Sequence, residues 1–222
     1  MGTRGAYGFR YNNTDKVTYN HFDSYFSELG KNICMFIKET PIDEMINIFN
    51  KIKLVDANKK ATPKQIEHVK KIAPEIINLS VGDGSDFKKN SFYNLLRESQ
   101  GNLNFYKKGL KYMIDNHNFL SDSLYCEWAY IINLDEKVLE VYCGFNTNPS
   151  AEGRYADLCN DDEKKYYGVK LVENISLDEI GKINDLDVFS EEKENAIMEK
   201  ESANEWNATR SKSINRHTFL LA

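Results

Sequence analysis

Between positions 20 and 25 the chain sets Asn20, His21, Asp23, Ser24 and Tyr25 side by side. An imidazole base, a carboxylate to orient it, a hydroxyl nucleophile and an amide are the components of an acyl-transfer centre. A Ser-His-Asp triad is a spatial arrangement, usually drawn from separate elements, so adjacency in sequence does not assemble one. If a strand runs through this stretch, His21 lies with Tyr19 and Asp23, whereas Asn20 shares a side with Thr18 and Ser24. Two readings stay open. Either Asp23 and Ser24 cap a strand-to-loop transition beside a hydrogen-bonded histidine, or His21, Asp23 and Ser24 form a hydrolytic site.

Arg4 and Arg10 are the next residues with chemical potential, because a guanidinium binds carboxylate or phosphate bidentately. With Tyr19, Asn20, His21 and Tyr25 they make a candidate set for a small anionic ligand. The alternative is pairing with carboxylates, and Glu127, beside Trp128 in an apolar run, is a partner for either arginine. His68, His117 and His217 show no paired or HExxH spacing, so no metal site and no cofactor are expected. Cys34, Cys126, Cys143 and Cys159 lack CxxC spacing and are expected as free thiols. Val81-Gly82-Asp83-Gly84 contains GxG without a following GxxGK, a weak phosphate-loop signal.

These residues need elements to position them. Residues 3–11 and 16–22 form a predicted β-hairpin with Tyr7, Phe9 and Tyr11 on one face and Asn12 to Asp15 as the turn. Gly5 and Gly8 inside its first strand imply close approach of another strand or of a ligand. Helices are predicted after Thr40-Pro41, after the capping box Thr62-Pro63-Lys64-Gln65, over Ser91–Ser99 and over Leu103–Asp115. Leu124–Asn133 and Val138–Phe145 make a second hairpin, its first strand apolar on both faces and therefore central. A polar loop follows, then a strand at Tyr166–Val172 and a helix opening at Ser176-Leu177-Asp178-Glu179. Residues 190–222 are expected as an acidic helix and tail appended to a domain of residues 1–189, with Phe219-Leu220-Leu221 able to dock on it. Segregated strands and helices indicate an α+β fold: a mainly antiparallel sheet built from the two hairpins, with helices packed on it.

The 222 residues carry a formal charge of −5, which argues against general nucleic-acid binding. The charge is uneven: positions 150–222 hold 10 Lys and Arg against 16 Asp and Glu, the rest 19 against 18. Asp161, Asp162 and Glu163 within that acidic third are either solvated surface or a docking face for a basic partner. No apolar run is long enough to span a bilayer and the first residues show no hydrophobic signal-peptide core, so a cytoplasmic protein is expected.

The run Thr3-Arg4-Gly5, Gly8-Phe9-Arg10, Tyr19-Asn20-His21-Phe22-Asp23-Ser24-Tyr25 and Gly30 resembles the opening of an uncharacterised family from phages, bacteria and some fungi, of the form MGTRG…GFR…YNH(F/W)DSYP…LG. Glu127 to Asp135, Leu139 to Tyr142, Gly144-Phe145, Lys170 to Val172 and Leu177 to Glu179 resemble its later elements. Phe26 stands where that family often has proline, and residues 40–120 carry no resemblance. The layout is also similar to the N-terminal nucleophile hydrolase scaffold, in which a terminal Cys, Ser or Thr attacks with its own amine as base. Here removal of Met1 exposes Gly2, which has no nucleophile, and Thr3 becomes terminal only after a further cleavage. The expectation is therefore a phage-encoded binding protein, acting on a host or defence component or on a nucleotide-like ligand. The alternative is a hydrolase of amide or phosphate-containing substrates.

Overall fold

The computed structural model describes residues 2–77, 91–159 and 165–218, with side chains of the last helix described to residue 203. The GxG stretch at 81–84, the acidic Asp161, Asp162 and Glu163, and Phe219-Leu220-Leu221 lie outside the described residues.

Strands β1 (Gly5–Tyr11) and β2 (Thr14–Asn20) form the expected hairpin. Asn12 and Asn13 turn the chain with φ of 49° and 57°, the left-handed pair that a two-residue hairpin loop requires. The Asp135 carboxylate accepts both of their backbone N–H groups, at 2.9 and 3.1 Å. A π-helical turn, Phe26–Gly30, leads into α1 (Lys31–Glu39) and α2 (Ile42–Lys51). Pro41 occupies the N-cap of α2, and the helix opens at Ile42, directly after the Thr40-Pro41 start signal. After β3 (Lys53–Val55), α3 (Pro63–Ile72) starts on the expected capping box: Gln65 Oε1 accepts from the Thr62 N–H at 2.7 Å.

The predicted helix over Leu103–Asp115 is not continuous. Only one turn forms, α5 (Asn104–Lys107), following the short α4 (Phe92–Leu96). Gly109 then takes φ 109° and the chain extends into β4 (Tyr112–Ile114), which pairs parallel to β3. Leu103, Tyr106, Leu110 and Met113 are all buried, so their apolar spacing is satisfied by a broken path rather than by one helical stripe.

Strands β5 (Trp128–Asn133) and β6 (Val138–Cys143) form the second hairpin. Its first strand begins four residues later than expected, because Asp122 O accepts the N–H groups of Tyr125 and Cys126 in a turn. β7 (Lys170–Ser176) starts later than the predicted strand, and α6 (Leu177–Lys182) opens without a side-chain cap from Ser176. The last helix, α7 (Leu186–Thr218), spans the expected boundary at 189/190. It packs against the domain: Ser190 and Ile197 are buried, Glu194 accepts the Ser27 N–H at 2.8 Å, and Phe189 meets the Phe26 ring.

The fold is α+β, with a five-stranded sheet in the order β2-β1-β5-β6-β7. Every neighbouring pair is antiparallel except β1 and β5, which run parallel from Gly5 beside Trp128 to Arg10 beside Asn133. Period-two alternation gives each face its own core. Tyr7, Phe9, Trp128, Tyr130, Ile132, Leu139 and Val141 pack under the helices. Ala6, Val17, Ala129, Ile131 and Tyr142 pack under Leu120, Tyr155 and Val169 from the connecting segments. Gly8 is explained by this sheet rather than by a ligand, since a Cβ there would lie 2.0 Å from the Lys16 carbonyl oxygen. Of the four cysteines, Cys34, Cys126 and Cys143 are buried and Cys159 is exposed, and none is in a disulfide.

Candidate functional site

The end of β2 and the π-helical turn form one wall of a half-open cleft of about 510 Å³, and residues 97–104 form the other. Each wall is pinned from beneath by a tyrosine of the sheet. Tyr130 donates its hydroxyl to the Ser24 carbonyl at 2.9 Å, and Tyr7 donates to the Ser99 carbonyl at 3.3 Å. Burial pushes both phenols well above their ordinary pKa, so both remain donors at any physiological pH.

Asn20, His21 and Asp23 line this cleft together with Glu28, Arg97 and Glu98. Asn20 is 6 % exposed and donates through Nδ2 to the Phe22 carbonyl at 2.5 Å and to Ser24 Oγ at 2.9 Å. His21 is exposed; its Nδ1 is 2.7 Å from the Tyr19 hydroxyl, and its ring meets Phe22 edge-on with centroids 4.2 Å apart. Asp23 is exposed with φ 51°, and its backbone carbonyl accepts the Leu29 N–H. Ser24 is fully buried, with its hydroxyl engaged by Asn20 and its N–H bonded to the Thr3 carbonyl. Thr3 is itself buried. No His-Asp-Ser relay runs through these contacts: the nearest group to the imidazole is a phenol, and the serine faces inward.

The remaining predicted residues disperse. Tyr19 is wedged between Phe119 and His21, and burial raises its phenol pKa. Tyr25 is exposed at the N-cap of the π-helical turn. Arg4 lies 4.7 Å over the Tyr125 ring, and only its backbone N–H reaches Glu127 Oε1, at 3.3 Å. Arg10 sits near the other end of β1, bonded to Asp15 at 3.1 Å and Asn13 at 2.9 Å. Six extended residues, about 20 Å, separate the two arginines, so they do not grip one small anion. Among the described residues neither forms an ion pair with Glu127, so the expected link between the hairpins is absent.

A second constellation, which the sequence reading missed, occupies the opposite face of the sheet. Arg10 and Asp15 are cross-strand partners there, and Asn133, Glu140 and Tyr142 continue the same face. Arg154, from the loop after β6, grips the Glu140 carboxylate with Nη1 at 2.6 Å and Nη2 at 2.5 Å. Asn133 Nδ2 and the Tyr142 hydroxyl donate to Glu140 at 2.7 and 3.0 Å. The Tyr155 hydroxyl donates to Asp15 at 2.9 Å, and His117 Nε2 lies 3.6 Å from the same oxygen. Burial alone would raise the Asp15 carboxyl, but His117, Arg154, Arg10 and Tyr155 together hold it below the ordinary range. The Asp15 carboxylate in turn raises the His117 pKa against the opposing effect of burial. Glu140, not Glu127, is thus the buried carboxylate that needs a cation. The available signal was its place opposite Leu139 and Val141 on a strand; the arginine came from a loop, where no periodicity marks it. The charges of this cluster offset one another, although Arg154 Nε and Nη2 are buried without a hydrogen-bond partner, and the ion pairs brace the sheet.

Among the described residues no group of three or more His, Cys, Asp or Glu is placed to hold a metal ion, and no helix is long and apolar enough to cross a membrane. Comparison with protein-family models, with curated proteins and with solved structures gave no match.

Proposed function

We propose that this is a binding protein without N-terminal nucleophile chemistry, which holds its partner at the cleft between the end of β2 and residues 97–104. One contrast carries the reading: an open polar cleft lies directly beside a serine whose hydroxyl is enclosed and already hydrogen-bonded. Polar side chains converging on a concavity of several hundred cubic ångströms are the ordinary form of a small-ligand or side-chain site. The N-terminal motif resembles a family found in phages, bacteria and some fungi, and for a phage-encoded member a host or defence component in the cytoplasm is the natural macromolecular partner.

One observation favours a second reading, a hydrolase. His21 lines the cleft with Nδ1 held near the Tyr19 hydroxyl, which orients the ring and leaves Nε2 as its other polar atom. With Ser24 enclosed, water would be the nucleophile, His21 the base and the Tyr19 hydroxyl its orienter, with Asp23 on the same cleft wall. Native purification followed by extraction and mass spectrometry of bound small molecules separates the two. Binding predicts an intact ligand or captured protein whose retention survives His21→Gln. Hydrolysis predicts turnover of an amide or phosphate ester that His21→Gln abolishes.

A further inference from the structure

We propose that the protein carries a second binding surface, a lysine face around α3 and the β3–β4 pair that holds the phosphate backbone of a nucleic acid without reading its sequence. The charge of the chain is segregated more sharply than its total suggests. Positions 51–75 and 104–115 hold 10 Lys and no Arg against 4 Asp and Glu, a net of +6, so the remainder carries −11. The fold draws these lysines together. Lys53 donates its N–H to the Lys111 carbonyl at 2.7 Å, which sets the two side by side at the start of β3 and β4. Helix α3 lies against the same pair, because the His68 ring meets Tyr112 edge-on with centroids 5.6 Å apart. Lys64 and Lys71, four residues before and three after His68, share its side of the helix. Lys51 closes α2 just ahead of Lys53.

All five lysines are exposed, and none forms an ion pair with a described residue. The carboxylates of these segments are mostly engaged: Glu75 is held by Lys108 at 3.0 Å, and Asp56 and Asp115 accept the backbone N–H groups of Asn58 and His117. Elsewhere the pattern is the reverse, with Arg10, Lys31, Arg154, Lys170 and Lys193 each meeting a carboxylate. A clustered, unneutralised set of cations is the footprint of a polyanion site. Charges further than about 10 Å are largely screened at 0.1 M salt, so a ligand here responds to the local excess of lysine rather than to the whole-chain −5. Lysine is depleted at protein–protein interfaces, whereas phosphate contacts are made with Lys and Arg. No large apolar side chain of these two segments, all of whose residues are described, is exposed to enter a bilayer. Lysine also presents a point charge in place of the planar fork with which arginine reads guanine, so the contact is to the backbone alone. None of the five lines the cleft, and the inference is independent of the reading above.

Fluorescence anisotropy of the full chain with labelled duplex DNA, duplex RNA and single-stranded DNA tests this, each in two unrelated sequences. Four phosphate contacts on a duplex give a log–log salt slope of about −3.6, a loss of about 150-fold in affinity between about 50 and 200 mM salt. The double variant Lys64→Gln with Lys71→Gln should flatten that slope by about two and weaken both sequences equally. Lys182→Gln with Lys200→Gln makes the same change in net charge at exposed positions on α6 and α7 and should leave the slope unchanged. Both variants are required to melt like the parent chain. Whichever of the three nucleic acids binds most tightly identifies the class of ligand. Equal effects of the two variants, or a slope near zero, overturn the proposal. So does binding only to phosphatidylserine vesicles or to polyglutamate, or no binding at all, and each of these outcomes leaves the cleft reading untouched.

Discussion

Replacing Arg154 with methionine tests whether the Glu140–Arg154 pair clamps the loop after β6 to the sheet. The substitution removes the charge-assisted hydrogen bond from Nη1 at 2.6 Å and the ion-pair contact of Nη2 at 2.5 Å, and keeps much of the aliphatic bulk that packs near Tyr155. Glu140 is left with a side chain 7 % exposed and two neutral donors, Asn133 and Tyr142. Removing one partner of a buried pair costs about 3–5 kcal/mol. The two surviving donors and the partial exposure of Arg154 place this site at the low end, about 3 kcal/mol. For a chain of this length that lowers Tm by about 6–12 °C. Glu140→Leu combined with Arg154→Met removes the stranded charge and leaves two neutral donors unpaired, at about 1–3 kcal/mol each. The double variant is therefore less destabilised than the sum of the single changes, with a coupling of about 2 kcal/mol or more. Urea unfolding followed by circular dichroism at pH 7 gives all four corners of the cycle. A cost below 1 kcal/mol for Arg154→Met, or additive single effects, refutes the clamp.

The Asp15–His117 contact gives a pH signature. Because the folded His117 pKa is raised, its contribution is complete below the unfolded value near 6.5 and is lost as pH rises through the higher folded value. His117→Gln should flatten the stability profile just above pH 6.5, as read by thermal melts across that range. Asp15 has the opposite sign: its lowered pKa contributes above about 3.8 and is lost as pH falls through the folded value, so Asp15→Asn should flatten the acid limb. Gly8→Ala forces a methyl group onto the Lys16 carbonyl and should cost about 3 kcal/mol or more, or prevent soluble expression; a change under 1 kcal/mol in urea unfolding would contradict the tight β1–β2 packing. Neutralising Asp161, Asp162 and Glu163 should weaken a salt-sensitive pulldown if the acidic third docks a basic partner, and unchanged capture removes that face from consideration.

Local signals were legible where one residue's chemistry dictated the backbone. Asn12 to Asp15 named the turn, though only Asn12 and Asn13 make it and Thr14 and Asp15 open β2; Thr62 and Gln65 named the start of α3, and the apolar faces of residues 128–133 named a covered strand. The cleft was half legible, since Asn20, His21 and Asp23 fall on one short stretch, whereas its opposite wall lies 74 or more residues away on Arg97 to Asn104. Gly101-Asn102 marked a break in that wall but not what the break would face. The Leu103–Met113 spacing misled because four buried apolar residues at helical intervals can be satisfied by a turn and a strand, and pairing with β3 decided between them. Arg10 was linked to the wrong carboxylate because the register that sets it opposite Asp15 is a property of the hairpin turn, not of either residue.

The parallel pairing of β1 with β5 fixes the order in which the chain can be completed. During synthesis the first hairpin emerges with one edge of β1 unpaired, and the strand that covers it lies 123 positions later. At about 5–20 residues per second, that edge waits roughly 6–25 s on the ribosome. For that interval Ala6, Tyr7 and Phe9, all inaccessible in the finished sheet, sit on a nascent strand open to pairing with other chains. The second hairpin therefore acts as the closing piece of the molecule, and truncations that end before residue 128 leave a sticky edge rather than a smaller domain.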